Sequence, residues 1–129
     1  PTMDGKVDLF SQFKQILGDD GRIINLVSAP EIYVNEWVSF STRNYPENRS
    51  ARSGDVVRIV ITELEDLRPV EDIVWSDEDY RTVYARAGFE ILQIHKPLGR
   101  EEEPYPWVNE TKIAPWVIYV LGHAKKEER

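Results

Sequence analysis

Residues 28–37 combine polar side chains with aromatic surface. They begin where the apolar run at 22–28 ends. The candidate substrate-binding residues are Ser28, Glu31, Tyr33, Asn35 and Trp37. In an open α/β sheet, ligands bind beyond the carboxyl ends of the strands. We therefore expect these side chains to line a substrate pocket. A second interpretation stays open, in which the two aromatic residues belong to the core of the element that follows the strand.

The remaining reactive side chains form no catalytic pattern. His95 and His123 are far apart, and no further ligand stands at a spacing that would hold a metal ion. The chain has no Cys, and no Ser stands in a G-x-S-x-G motif. The seven glycines form neither a G-x-G-x-x-G loop nor a P-loop. We therefore predict no metal site and no cofactor-binding residue, and we assign no catalytic residue.

Polar residues between the apolar segments are typical of exposed loops. Four arginines occupy positions 43, 49, 52 and 58. They could attract an anionic ligand, but a solvated loop and strand face is the favoured interpretation. Two Asn-x-Ser/Thr sequons, at Asn48 and Asn109, are also interpreted as surface-loop composition rather than as glycosylation sites.

Composition excludes several classes of protein. The 129 residues include 16 basic and 23 acidic side chains, which gives a net charge of −7. An acidic chain of this kind is not expected to bind nucleic acid, because binding to the phosphate backbone needs clustered Lys and Arg. No apolar run is long enough for a membrane span, and no secretory signal is visible. We therefore expect a cytoplasmic protein with no membrane partner.

Apolar periodicity divides the chain into alternating helices and strands. The spacing of Leu9, Phe10, Phe13, Ile16 and Leu17 predicts a first helix with one apolar face. The predicted elements are a helix that starts near Asp4 or Asp8 and ends at Gly18, a strand over 22–28, a helix over 30–38, strands over 56–62 and 70–75, a helix over 76–87, strands over 89–95 and 113–121, and a frayed tail over 125–129. This alternation favours a layered α/β fold.

The helix over 76–87 carries a clear apolar stripe. Tyr80, Val83, Tyr84 and Ala87 stand at positions i, i+3, i+4 and i+7, so they lie on one face of the helix. Gly88 follows directly, and a glycine there favours the left-handed conformation that ends a helix. The stripe predicts a helix packed against the sheet.

The order of several short motifs resembles class I S-adenosylmethionine-dependent methyltransferases. Residues 17–24 resemble the helix end, glycine turn and fifth strand of that family. Residues 75–80 and 87–91 resemble its last helix and sixth strand, and residues 115–121 resemble its closing antiparallel strand. Residues 38–75 stand where small-molecule members carry a lid over the substrate.

This resemblance implies a partial Rossmann-like fold. Residues 1–129 would form a single domain, the C-terminal half of the methyltransferase fold, with a lid-like, hairpin-containing insert at 38–75. The strands near 22–28, 89–96 and 113–121 would share one sheet, with the last strand antiparallel between the other two. Ser28, Glu31 and Tyr33 match the region after strand five that lines the family's substrate pocket.

The same resemblance implies methyl transfer to a small molecule with S-adenosylmethionine as cofactor. The family's glycine-rich cofactor loop and its acidic ribose-binding residue have no counterpart here. We therefore expect the chain alone to bind no cofactor and to be inactive. An incomplete sheet leaves an open edge, so self-association through that edge is expected.

Two other functions remain open. The chain could be a complete small α+β domain that binds an apolar ligand on the aromatic surface of Tyr33, Trp37, Trp75 and Trp107. Alternatively, it could be a structural interaction module with a large dimer interface. The methyl acceptor and its reacting atom are not indicated by any motif.

Overall fold

A computed structural model describes residues 2–125 of the chain. Its helices are α1 (Met3–Ile16) and α2 (Asp77–Arg86), and two 3-10 turns span Pro30–Tyr33 and Pro46–Ser50. Its strands are β1 (Ile23–Ser28), β2 (Phe40–Ser41), β3 (Val56–Ile61), β4 (Val70–Ile73), β5 (Phe89–His95) and β6 (Trp116–His123). Apart from residue 125, the predicted frayed tail lies outside the described residues.

Contacts group the chain into two compact units. Among the described residues, the first unit contains 2–26, 77–95 and 118–125. The second unit contains residues 27–76 and 96–117. The segment 38–75 therefore belongs entirely to the second unit, and its role as a lid stays a prediction.

The sheet of β1, β6 and β5 has its last strand in the centre. The strand order is β1-β6-β5, and β6 pairs antiparallel with β5, with Phe89 opposite His123 and His95 opposite Ile118. This confirms the prediction that these three strands share one sheet with the last strand between the other two. The mixed α/β class is also confirmed. Both sheets are antiparallel, however, and residues 2–125 contain no parallel Rossmann sheet, so the methyltransferase fold itself stays a prediction.

An aromatic cluster forms the core of the first unit. The ring of Tyr84 on α2 lies 5.3 Å from that of Phe10 on α1 and 5.2 Å from that of Tyr119 on β6, measured between centroids. Val83, Tyr84 and Ala87 are buried and Tyr80 is half-buried, as the stripe predicts. Gly88 follows α2 with a φ of +88°, which confirms the predicted helix end.

The predicted apolar face of α1 is partly wrong. Val7 and Phe10 are its buried residues, whereas Leu9 and Ile16 are exposed, Ile16 to 84%. Successive residues turn by about 100° around a helix. Val7 and Phe10 therefore lie on one face of α1, and Leu9 and Ile16 lie on a different face. The helix begins at Met3, where the Thr2 hydroxyl accepts a hydrogen bond from Gly5 N at 3.0 Å, and Asp4 lies in the first turn, as one of the two predicted starts requires.

The second unit contains the antiparallel sheet β2-β3-β4. β3 and β4 form the predicted hairpin, with Val56 opposite Ile73 and Ile59 opposite Val70. Its main core cluster consists of Ile32, Tyr33, Trp37, Val57, Ile59 and Val74. The core of this unit therefore lies between the hairpin and the segment that follows β1.

The helix predicted over 30–38 is wrong, because that segment forms only the 3-10 turn Pro30–Tyr33. In an α-helix, the backbone N–H of Asn35 would donate to the carbonyl of Glu31. Instead, the Asn35 side-chain amide donates to that carbonyl at 3.0 Å, and Val34 N donates to it at 3.3 Å. This local competition replaces the helix with a tighter turn.

Candidate functional site

Two open clefts adjoin one another in the second unit and share Glu36 and Arg43. The first cleft has a volume of about 340 Å³ and is lined by residues that include Tyr33, Asn35, Tyr45, Arg49 and Asn109. The second has a volume of about 580 Å³ and is lined by residues that include Trp37, Val38, Phe40, Thr62 and Val108. Both volumes fall within the range of small-molecule sites.

Three of the five predicted substrate-binding residues reach these clefts. Tyr33 and Asn35 line the first cleft, and Trp37 lines the second. Ser28 is half-buried at the end of β1, and Glu31 is exposed in the 3-10 turn. Those two residues line neither cleft.

Tyr33 and Trp37 belong to the core and also border the clefts. Each is only 4% exposed. The Tyr33 hydroxyl donates to Asp72 Oδ2 at 2.5 Å, and Trp37 Nε1 donates to the Ile32 carbonyl at 2.8 Å. The polar atoms of both side chains are therefore engaged by the protein, and only a small part of each side chain borders a cleft.

Glu36 fixes the wall between the two clefts. Its Oε1 accepts a hydrogen bond from Ser41 Oγ at 2.8 Å, and its Oε2 accepts one from Thr42 N at 2.8 Å. Arg43 Nε lies 3.4 Å from the same carboxylate. The Thr42 hydroxyl in turn donates to the Asn35 carbonyl at 2.8 Å. Because several donors share the Glu36 carboxylate, it holds residues 41–43 in place against the segment that carries Asn35.

Asn48 anchors the turn Pro46–Ser50, two of whose residues line the first cleft, although the sequence predicts an exposed residue there. Its side chain is 6% exposed, and its Nδ2 donates to the carbonyls of Tyr33 at 2.9 Å and Arg58 at 2.8 Å. Its Oδ1 accepts from Arg58 N at 3.2 Å. One amide thus joins the turn Pro46–Ser50 to two other segments. In the sequence, an Asn two residues after Pro46 indicates a turn, but nothing there indicates that the Asn side chain is buried.

Glu110 is a second structural residue that sequence reasoning missed. It is 6% exposed, and its Oε2 accepts from Val38 N at 2.7 Å. Its Oε1 accepts from Val108 N at 2.8 Å and Asn109 N at 3.0 Å. The Asn109 side chain donates to the Glu36 carbonyl at 2.8 Å. The interpretation of this sequon as simple surface loop is therefore wrong, because it anchors residues 108–110 to residues 36–38.

Two tyrosine hydroxyls with raised pKa values lie outside the clefts, in the aromatic core of the first unit. Burial raises the pKa of the Tyr84 and Tyr119 hydroxyls well above their usual range. Asn25 Nδ2 donates to the Tyr84 hydroxyl at 2.8 Å, and the Tyr119 hydroxyl donates to Asp77 Oδ1 at 2.5 Å. Hydroxyls that hold their protons this firmly are unsuited to act as bases near neutral pH.

The described residues offer neither a metal-binding cluster nor a membrane-spanning helix. Residues 2–125 contain no group of three or more His, Cys, Asp or Glu side chains that could hold a metal ion. No helix within that range is long and apolar enough to cross a membrane. Comparison with protein-family models, curated proteins and solved structures found no match to this chain.

Proposed function

We propose that this chain is the C-terminal, substrate-side portion of a S-adenosylmethionine-dependent methyltransferase that acts on a small molecule. The observation that supports this proposal is the order β1-β6-β5 of the first sheet, with β6 antiparallel to β5. A simple meander would place β5 beside β1, because sequential strands are usually neighbours. The family resemblance implies the less common order, with the last strand inserted in the centre.

The clefts of the second unit provide the substrate side of this proposal. β1 leads directly in sequence to the 3-10 turn that carries Tyr33, and then to Asn35 and Trp37. Ligands of open α/β sheets bind beyond strand ends of this kind. Tyr33, Asn35 and Trp37 are the proposed substrate contacts with a place in a cleft, whereas Ser28 and Glu31 stay predictions from sequence alone.

The family resemblance implies that S-adenosylmethionine, when bound by the longer protein, would supply a methyl group to the acceptor by in-line displacement. Such a displacement depends on holding the two reactants in line. Arg43 and Arg49 line the first cleft, and guanidinium groups repel a cationic sulfonium. The cleft therefore does not fit the cofactor, and no residue of this chain is assigned to it. The chain alone is proposed to be inactive.

The alternative of a domain that binds an apolar ligand is less well supported. It requires a broad aromatic surface, but Tyr33 and Trp37 lie in the core cluster and each exposes only 4% of its surface, which allows a limited contact at a cleft and not an extended apolar platform. Quenching of tryptophan fluorescence by apolar ligands would favour this alternative. A large buried dimer interface without ligand binding would favour a structural module.

Self-association through the edge strand β1 is part of the proposal. β1 lies at the edge of its sheet, and its residues Ile24 and Leu26 are 73% and 61% exposed. Residues 23–28 carry no charged side chain. An uncharged edge strand with exposed apolar side chains favours pairing with another strand. The proposal keeps a cytoplasmic location, without nucleic-acid or membrane partners.

The coding sequence upstream of Pro1 provides the first test. We expect it to encode a strand, a glycine-rich loop and a helix, followed about 20 residues later by an acidic residue. The longer gene product should bind S-adenosylmethionine in calorimetry and transfer a labelled methyl group to a small molecule, whereas this chain alone should do neither. A start codon at this position, or a longer product that does not bind the cofactor, would overturn the proposal.

A further inference from the structure

Arg49 presents a guanidinium group that the described part of the chain does not use. It lies in the turn Pro46–Ser50, is exposed, and lines the first cleft. Within residues 2–125 its side chain forms no hydrogen bond or ion pair. In contrast, Arg58 and Arg81 pair with Glu71 and Asp77.

Two further donors line the same cleft. Arg43 has an exposed side chain whose one ion pair, with Glu36, is long at 3.4 Å. Hydrogen bonds from Ser41 and Thr42 already occupy that carboxylate, so Arg43 retains free N–H groups. The Tyr45 side chain also lines the cleft, and its hydroxyl has no hydrogen bond within the described range.

The backbone that carries these donors is anchored. Asn48, next to Arg49, is buried and makes three hydrogen bonds to other segments. The Thr42 hydroxyl, next to Arg43, donates to the Asn35 carbonyl. An anchored backbone removes the cost of ordering the loop when a ligand binds, which favours affinity.

From this arrangement we infer that the first cleft binds an anionic group, a carboxylate or a phosphate, on a small molecule, through Arg43 and Arg49. Guanidinium groups match the planar or branched oxygens of these anions. The chain as a whole carries a net charge of −7, so general electrostatic attraction does not account for anion binding. That the bound molecule is the methyl acceptor rests on the proposed function, but anion binding itself does not.

The experiment follows backbone amide chemical shifts of this chain during titration with benzoate, phenyl phosphate and the neutral benzamide. We expect saturable shifts around residues 35, 43–49 and 109 with one or both anions, at concentrations on the order of millimolar. Arg49→Gln and Arg43→Gln should each weaken binding by about tenfold, which corresponds to one charge-assisted hydrogen bond. Benzoate and phenyl phosphate distinguish a carboxylate site from a phosphate site.

Arg52→Gln is the matched control. Arg52 is also exposed and its guanidinium also has no partner within residues 2–125, but it lines neither cleft. This variant should keep the affinity within about twofold. The spectra of the variants also report whether each one is folded.

Several results would overturn the inference. Benzamide binding as tightly as the anions would do so, and so would equal losses of affinity for the anions in the Arg52 and Arg49 variants. Chemical shift changes located away from the first cleft, or no saturation by either anion up to tens of millimolar, would also overturn it. If the anion binds in the cleft but the longer gene product does not bind S-adenosylmethionine, the proposed function fails and the anion site stands. If the longer product binds the cofactor but the cleft does not bind anions, only the present inference fails.

Discussion

Replacing Glu110 by Ala tests whether one buried carboxylate anchors the second unit around the clefts. The substitution removes an acceptor for three backbone N–H groups, those of Val38, Val108 and Asn109. A buried donor left without a partner costs roughly 1–3 kcal/mol. Water can reach part of this site, so we expect Glu110→Ala to lower the free energy of unfolding by about 3–5 kcal/mol.

Glu110→Gln separates the contributions of the two oxygens. The amide oxygen can still accept from Val108 N and Asn109 N, but the NH₂ group then faces Val38 N, which is also a donor. We expect a loss of about 1–2 kcal/mol, which is smaller than that of Glu110→Ala. Glu101→Ala is the control, because Glu101 is exposed, and it should change stability by less than about 0.5 kcal/mol.

Urea unfolding followed by tryptophan fluorescence is the appropriate assay. The four tryptophans, at positions 37, 75, 107 and 116, all lie in the second unit, so this signal follows that unit. The shift in unfolding midpoint at constant slope gives the change in stability. If Glu110→Ala stays within 0.5 kcal/mol of the wild type, or if the Gln variant loses as much as the Ala variant, the reasoning is refuted.

Two further predictions concern the first unit. Leu26→Lys places a charge on the exposed edge strand β1 and should convert the proposed self-associated form to a monomer in light scattering. Leu64→Lys, at another exposed leucine, should leave the mass unchanged, and an equal effect of both variants would refute edge pairing. Because burial raises the folded-state pKa of Tyr84 and Tyr119, the unfolded chain releases these protons first, and stability should fall as the pH rises above about 10. Tyr119→Phe should reduce that loss in alkaline unfolding experiments, and an unchanged pH dependence would contradict the assignment.

Repeating local patterns predict the elements whose surroundings are regular. The stripe on α2 and the β3–β4 hairpin follow from residue spacing, and both are present. The central position of β6 came from the family resemblance and not from periodicity. Residue spacing alone does not give the order of strands in a sheet, because it describes each strand separately.

The predictions failed where a single side chain determines the structure. The Asn35 side chain donates a hydrogen bond to the Glu31 carbonyl, and this bond competes with the helix that the apolar spacing favours. Asn48 and Glu110 are polar residues in polar stretches, so nothing in the sequence indicates burial. Their positions depend on backbone groups more than ten residues away along the chain, such as Tyr33 O and Val38 N. The walls of the clefts are therefore the part that sequence patterns describe least well.

The buried amide of Asn48 has a consequence for protein production. Asn48-Arg49-Ser50 is a glycosylation sequon, and the sugar would attach to the same nitrogen that donates to Tyr33 and Arg58. In a secretory expression host, attachment and folding would compete for that nitrogen, and a chain that receives the sugar first could not form both of these hydrogen bonds. The fraction of chains with a sugar at Asn48 would then report how fast the second unit folds relative to the rate at which the transferase attaches the sugar.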